Sequence, residues 1–505
     1  MKRYLLPFIW ILPVLAGCNS FLDTEPDDRT VIDSPDKVKE LLVSAYPEGH
    51  FLLFTEFMSD NAADKGTWLY SIYPRRQEEA YFWKDASEES QDTPPFYWSV
   101  SYAAISAANH ALEAIYAAPN RKDYQTYEGE ALIARAYAHF MLVNLFAEHY
   151  DPETAGTALG IPYVTEPEKA ALVLYERNTV AANYTAIEKD LTEGLPLLRD
   201  DAYDVPKYHF NRAAANALAT RYYTWRGDAW DKVIEHATNV LGEGAAFASQ
   251  LRDYANRYTP ISSNTTQYAL QYVSIDEPAN LLLINGSSIW YRCHGFSRYG
   301  MDNTIMKEVH ENKPFSGKLE YAIYGSAPTY HRNKVTENFK TPYPGATSGI
   351  PYVIVPALTV EEVVFNRAEA YVMKKDYDAA LVDINTFLSK RIKNYNAVTQ
   401  DLSLKKINDY YGNKNNAALY PDLHPYYESE LDRDQMNMLK CITDLRRKEF
   451  IQEGMRWFDI KRYHLEVVHN VYGSVEKHVL TGDDLRRAIQ IPGGATSYGM
   501  TPNPR

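Results

Sequence analysis

The stretch that most constrains the fold is GEALIARAYAHFMLVNLF, residues 129–146. Leu132, Ala136, Phe140 and Val143 recur at three- or four-residue spacing, which places them on one stripe of an α-helix. The same period runs through Trp98, Tyr102, Ile105, Asn109, Leu112 and Ile115, and continues in YTAIEKDLTEGLPLL. Ser34-Pro35 starts an earlier helix, with Ser as N-cap and Pro in the first turn, and Val38, Leu41, Leu42 and Ala45 form its apolar face. The chain is therefore expected to be mainly α.

Two segments read as helical hairpins. Residues 212–241 give helix, a Gly227-Asp228 turn, and helix. Residues 363–391 give a second hairpin in which Ala368, Tyr371, Ala380 and Ile384 alternate small and large residues at the spacing of a tetratricopeptide hairpin. Small positions let paired helices approach and large ones fill the gap. A generic amphipathic hairpin would satisfy much of the same pattern, and the copies keep no strict period. The expected architecture is a TPR-like helical scaffold over about 34–240 and 359–391. An irregular insert with short strands occupies about 241–358, where QYALQYVSI, NLLLI and PYVIV are β-like runs. Residues 47–97 and 392–440 read as loop-rich, and 441–463 as a return to helix, in a single domain spanning 18–505.

The N-terminus carries a basic pair, Lys2 and Arg3, and an apolar run to Ala16 broken by Pro7 and Pro13. That run falls short of the roughly 20 apolar residues a spanning helix needs, and fits a secretory leader over 1–17. It ends in LAGC, the form of a bacterial lipobox, with Cys18 as the acylated residue; the alternative is an ordinary leader with a chance cysteine. Several acyl chains hold a protein on a bilayer far better than one. The formal charge of −14 argues against nucleic acid as partner, since phosphate binding needs a basic patch. Only Cys293 and Cys441 remain after Cys18, and two free or buried thiols are the simpler reading than a disulfide.

Taken in order along the chain, several segments resemble the RagB/SusD family of outer-membrane nutrient-binding lipoproteins. They are FLDTEP after Cys18, SDNAAD at 59–64, YAAISAANHALEAI at 102–115, the 129–146 helix, LGIPYVT at 159–165, RAEAY at 367–371 and the IPGGATSYGMTPNP tail. RRKEFIQEGMRWFDIKRY at 446–463 is similar to the family's C-terminal signature, with Leu445 where many members carry Glu. Its charges, Arg446, Arg447, Glu449, Glu453, Arg456, Asp459 and Arg462, alternate at helical spacing, and are expected to hold a docked helix by ion pairs that satisfy one another rather than to bind substrate. The resemblance implies a cell-surface lipoprotein of a Gram-negative outer membrane. It would capture a nutrient, usually a glycan fragment and in some members a peptide, and pass it to a SusC-like TonB-dependent transporter.

No catalytic constellation supports the rival reading of a surface carbohydrate-active enzyme. HEN at 310–312 does not continue to a zinc motif, GFSRYG lacks the nucleophile-elbow spacing, and HLEVVH has the wrong interval for two ligands one turn apart. DNAADKG at 60–66 lacks the alternating ligands of a calcium loop, so Asp60 and Asp64 are read as turn formers, and neither metal nor cofactor is expected. A surface adaptor would need the scaffold alone. A sugar-binding face needs aromatic rings for C–H faces and planar donors for hydroxyls. Two loop regions supply both: Trp68, Tyr73, Arg75 and Trp83 in one, and Trp290, Tyr291, Arg298 and Tyr299 in the other. If these loops meet, Trp68, Trp83 and Trp290 are expected to form a shallow platform with Arg75 or Arg298 at its edge.

Overall fold

The structure is a computed structural model that describes residues 32–66, 74–170, 173–341, 343–346 and 348–505. Cys18, Trp68 and Tyr73 lie outside the described residues.

Helix α1, Pro35–Leu42, starts as the sequence predicts: the Ser34 hydroxyl accepts from the Lys37 N–H, and Val38 and Leu42 are buried. The stretch read as loop-rich holds two helices, α2 (Leu52–Met58) and α3 (Pro74–Tyr81), flanking a short strand β1 (Ala63–Asp64). Every residue of α2 is buried, so it carries no polar face and no helical period. Helix α4 (Pro94–Ala117) packs on α5 (Gln125–Phe146), and α5 packs on α6 (Val180–Gly194). From Glu128 to Phe146 α5 is buried on all sides, wider than the single stripe its pattern suggests. Its one guanidinium is accommodated by pairing: Arg135 donates to both Asp190 carboxylate oxygens at 2.8 Å and to Asn109 Oδ1 at 2.9 Å.

The predicted hairpin at 212–241 is α7 (Arg212–Arg226) and α8 (Trp230–Leu241), turned at Gly227, whose φ of +79° is the left-handed cap a glycine takes without strain. The QYALQYVSI run forms helix α9 (Thr265–Tyr272) instead of a strand. NLLLI and PYVIV do form strands: β2 (Asn280–Ser287) pairs antiparallel with β7 (Ile350–Thr359). Between them lie α10 (Trp290–Cys293), β3 (Tyr299–Gly300), α11 (Asn303–His310), the β4–β5 hairpin (Tyr324–Ser326, Thr329–His331) and β6 (Asn338–Lys340). Strand β6 lies on the other edge of β7, and β3 pairs with β1. Strand β7 runs directly into α12 (Val360–Met373), whose N-cap is Thr359, and α13 (Tyr377–Ser389) closes the second predicted hairpin. Arg221 of α7 ties helix and sheet together: it donates to both Glu362 oxygens at 2.6 Å and to the Ala357 carbonyl at 2.7 Å.

Short helices α14 (Ala397–Gln400) and α15 (Leu404–Tyr411) lead to the C-terminal signature. This is not one helix but two, α16 (Arg433–Phe450) and α17 (Arg456–Arg462), separated by a turn. The buried Glu56 carboxylate of α2 organises that turn, accepting from Gln452 N at 2.7 Å and Gly454 N at 3.0 Å; burial pushes its pKa up to about 7. At Gly454 φ is +71°, and a Cβ would lie 2.3 Å from Thr55 Oγ1, so only glycine fits against α2.

The signature charges are ion-paired, mostly to partners far along the chain. Arg446 pairs with Asp459 inside the signature, but Glu449 takes Arg391, Glu453 takes Lys334, Arg456 takes Asp60 and Arg462 takes Glu369. Asp60 and Asp64 are therefore more than turn formers: Arg456 holds Asp60 at 2.8 Å, and Arg298 holds Asp64 through both oxygens. Arg391 bridges Glu449 and Glu361, each at 3.0 Å and all fully buried, and its positive charge holds Glu449 well below the usual carboxylate range. Cys293 and Cys441 are both buried and free.

Candidate functional site

Pairing of β1 with β3 puts Ala63 opposite Gly300 and Asp64 opposite Tyr299. Helix α3 stands on this ribbon. The Tyr81 ring stacks on Tyr299 with centroids 4.3 Å apart, the Tyr81 hydroxyl accepts from Asp64 N at 2.9 Å, and the Gln77 amide reaches Cys293 Sγ at 3.4 Å. The two aromatic regions singled out in the sequence are thus brought together.

They do not meet as an open tryptophan platform. Trp83 is 4% exposed: its indole N–H donates to the Met58 carbonyl at 2.8 Å, His469 stacks on its ring at 4.4 Å, and the Arg486 guanidinium lies 5.6 Å from the ring centre. Trp290 is 1% exposed, donating to the Gln452 carbonyl at 3.2 Å and packed edge-on against Phe57. Tyr299 is 2% exposed beneath Tyr81. Both tryptophans anchor the site from below, because the α2 end and the 451–455 turn supply carbonyls that match their N–H groups. Arg298 is committed to Asp64 at 2.6 and 2.7 Å and is not a free edge donor. Arg75 is exposed, with one ion pair to Glu79 at 3.2 Å.

Among the described rings singled out in the sequence, Tyr291 faces solvent, and Phe296 and Phe339, which were not singled out, do so too. Tyr291, in α10, is 37% exposed and Phe296, in the turn after it, 49% exposed. Phe339 of β6, also 49% exposed, has the Arg292 guanidinium 5.7 Å from its ring centre, and Arg292 is clamped by both oxygens of Glu337. The half-buried His331 ring packs against Phe296 at 5.5 Å and Tyr324 at 5.8 Å. Tyr291 packs against the buried His294 at 5.9 Å, and His294 in turn packs on Trp290. Phe296 lies beside Gly295 in CHGFSRYG, a ring in a tight turn, which is the signal that could have selected it. Phe339 offers no signal beyond being an aromatic in a mostly polar stretch.

Among the described residues, two clefts of about 350 Å³ lie elsewhere. One is bordered by Trp83, Arg76, Arg486 and Arg505, but Arg486 and Arg505 are paired with Asp484 and Asp85. The other is lined by Trp98, Tyr102, Leu174 and Tyr498. No helix among the described residues is long and apolar enough to cross a membrane.

Comparison with known proteins bears on the whole chain. Residues 20–224 match a family model described as starch-binding associating with outer membrane, and residues 358–494 match the SusD family model. No curated protein matches. Among solved structures, a SusD superfamily protein from Bacteroides thetaiotaomicron is similar over 94% of this chain and 100% of its own, at 18% identity and a TM-score of 0.66. A SusD-like carbohydrate binding protein from Bacteroides vulgatus is similar over 92% of this chain and 96% of its own, at 15% identity and a TM-score of 0.63. A laminarin binding SusD-like protein covers 93% of this chain and 99% of its own, at 16% identity and a TM-score of 0.58. The helical scaffold is therefore the SusD-like fold. The two family matches together span about two thirds of the chain, follow its order and include the C-terminal signature, and the chain belongs to the SusD/RagB family.

Proposed function

We propose that this protein captures an oligosaccharide at the cell surface and delivers it to a SusC-like TonB-dependent transporter, without catalysing a reaction on it. The observation that carries the reading is the set of exposed rings, Tyr291 against His294 and Phe296 against the half-buried His331 and Tyr324, with Phe339 beside Arg292. Rings of this kind pack on sugar C–H faces, and the flanking hydroxyls and amides take up sugar hydroxyls. The carbohydrate-binding names of two solved relatives support a glycan over a peptide. Anchoring is assigned to Cys18 and the outer membrane to the site of action, on the lipobox and the family.

A glycan and peptide array, followed by calorimetric titration of the best binder, tests the reading. Binding of an oligosaccharide, unchanged after incubation and weakened at least tenfold in Tyr291→Ala or Phe296→Ala, supports it. Binding of peptides alone, or turnover that follows the protein and disappears on carboxylate substitution, overturns it. A Cys18→Ser variant should leave the membrane fraction or keep its leader; normal processing and retention would refute the anchor.

A further inference from the structure

Trp98 differs from the other buried tryptophans of the described structure. The indole N–H groups of Trp83 and Trp290 donate to carbonyls, and those of Trp225 and Trp457 are sealed off from solvent. Trp98 is 8% exposed, and its N–H neither bonds a described residue nor is sealed off. Tyr102 follows one turn later on the same face of α4. Both side chains line the cleft of about 350 Å³ that Leu174 and Tyr498 also border. That volume falls within the roughly 300–1,000 Å³ of small-ligand clefts.

The cleft is held open by fixed walls. The Phe146 ring meets Trp98 edge-on at 4.9 Å, the Tyr102 ring lies 4.9 Å from Trp98, and the Tyr102 hydroxyl donates to the Pro162 carbonyl at 2.9 Å. Arg177 ties the 159–160 turn to the C-terminal tail, donating to the Gly160 carbonyl at 2.6 Å and to the Leu159 and Thr501 carbonyls at 3.0 Å. Asn503 pins the same tail, donating to the Phe146 carbonyl at 2.8 Å and the Ile489 carbonyl at 2.7 Å. The tail carries Tyr498, 64% exposed, just after the short helix α18 (Gly493–Ser497). Gly494 of that helix also lines the cleft, and a Cβ there would meet only Glu89 Oε1, at 3.5 Å, outside its own helix.

The charged residues lining the cleft are Glu89 and Glu168, with no lysine or arginine among the described lining residues, so an anion is repelled. An ammonium offers no acceptor to the Trp98 N–H. An apolar group offers neither that acceptor nor a donor to the carboxylates, and would leave them desolvated. A sugar hydroxyl supplies both: it accepts from the indole and donates to a carboxylate or to the Tyr102 oxygen, while the Tyr498 ring meets sugar C–H faces. We propose that this cleft is a second binding site, for a neutral oligosaccharide, separate from the face of Tyr291 and Phe296. Neither of those two rings lines it. Naming the hydroxyl-rich ligand a glycan rests on the capture reading.

Fluorine NMR of the full chain labelled with 5-fluorotryptophan tests the site, with the Trp98 resonance assigned by Trp98→Phe. The probes are maltohexaose, laminarihexaose, cellohexaose and mannohexaose, with glucuronate, choline and N-acetylleucinamide as anionic, cationic and apolar alternatives. At least one hexasaccharide should shift the Trp98 resonance saturably. Tyr498→Ala and Gly494→Leu should each weaken that response at least tenfold without lowering Tm, and Tyr291→Ala should leave it unchanged. A Trp98 resonance that no hexasaccharide moves, or that only glucuronate, choline or N-acetylleucinamide moves, overturns the proposal. So does a response that survives both Tyr498→Ala and Gly494→Leu. Calorimetry with the same hexasaccharides separates the two sites. Binding that is lost in Tyr291→Ala while Trp98 stays silent removes the second site and leaves capture at the ring face standing. A Trp98 response, with calorimetric binding that Tyr291→Ala does not change, keeps the second site and removes the ring face.

Discussion

Trp290 and Tyr291 are adjacent in sequence and opposite in environment, so exchanging each for alanine separates scaffold from binding face. Trp290 is 1% exposed, while Tyr291 is 37% exposed. Trp290→Ala removes a ring packed against Phe57 and His294 and leaves the Gln452 carbonyl without its donor. Truncating a buried Trp costs about 3–5 kcal/mol, and the orphaned carbonyl adds about 1 kcal/mol. A chain of 505 residues has an unfolding entropy of about 1 kcal/mol/K at its midpoint. The expected fall in Tm is therefore about 4–6 °C. Tyr291→Ala should shift Tm by less than about 1 °C, since surface changes lie within about 0.5 kcal/mol, and should weaken ligand by about 2 kcal/mol if the ring is a binding hot spot. Scanning calorimetry and ligand titration on both variants read the outcome. A Trp290→Ala protein with wild-type Tm and lost binding would refute the assignment of Trp290 to the base, and with it the argument that burial by a matched carbonyl decides the role of each ring.

Three further outcomes follow from the buried interactions. Glu449→Gln leaves Arg391 with less of its counter-charge in a fully buried network, and equilibrium denaturation should show a loss of about 3–5 kcal/mol, as for a broken buried ion pair. Gly454→Ala should be destabilising by at least about 1–3 kcal/mol, because φ is +71° and the new methyl meets Thr55; a variant as stable as wild type would show that the α2 contact is looser than described. Acid should destabilise the fold from pH 6.5 downward. Burial holds His50, His331 and His469 at about 4 and His139 and His294 at about 3, so the unfolded chain takes up these protons first and stability is lost as pH falls. Glu56 at about 7 and Asp92 and Asp383 at about 6 oppose this, since the native state binds their protons first. His149, His236 and His310 are lowered by burial as well, and Lys461, lowered to about 7, acts in the same direction mainly above that pH. Eight imidazoles against three carboxylates, each worth up to about 1.4 kcal/mol per pH unit, leave a net loss near pH 5 that urea midpoints at pH 7, 6 and 5 would register. Midpoints that rise on acidification would contradict the burial of the imidazoles.

Local rules carried the long helices and their ends. Ser34 capping α1, the Gly227 turn between α7 and α8, and the β2 and β7 runs each depend on residues within a few positions, so period and turn chemistry suffice to read them. Where an element is buried on every side no polar face marks its period, so α2 carries no helical signal and the apolar stripe of α5 understates its burial. The break between α16 and α17 is set by Glu56, about 400 residues earlier in the chain, and no local pattern announces it. The signature charges could be recognised as ion pairs from their alternation. Their partners could not, since Glu369, Arg391, Lys334 and Asp60 come from four separate segments. The binding face shows the same division. The sequence identified the two segments that meet across β1 and β3, and Tyr291 among their rings. Which rings reach solvent was decided by distant carbonyls and rings, Met58 and His469 for Trp83 and Gln452 for Trp290. Residue type determines that an aromatic ring can be buried or can bind; only the tertiary neighbours that cover its faces and satisfy its N–H determine which it does.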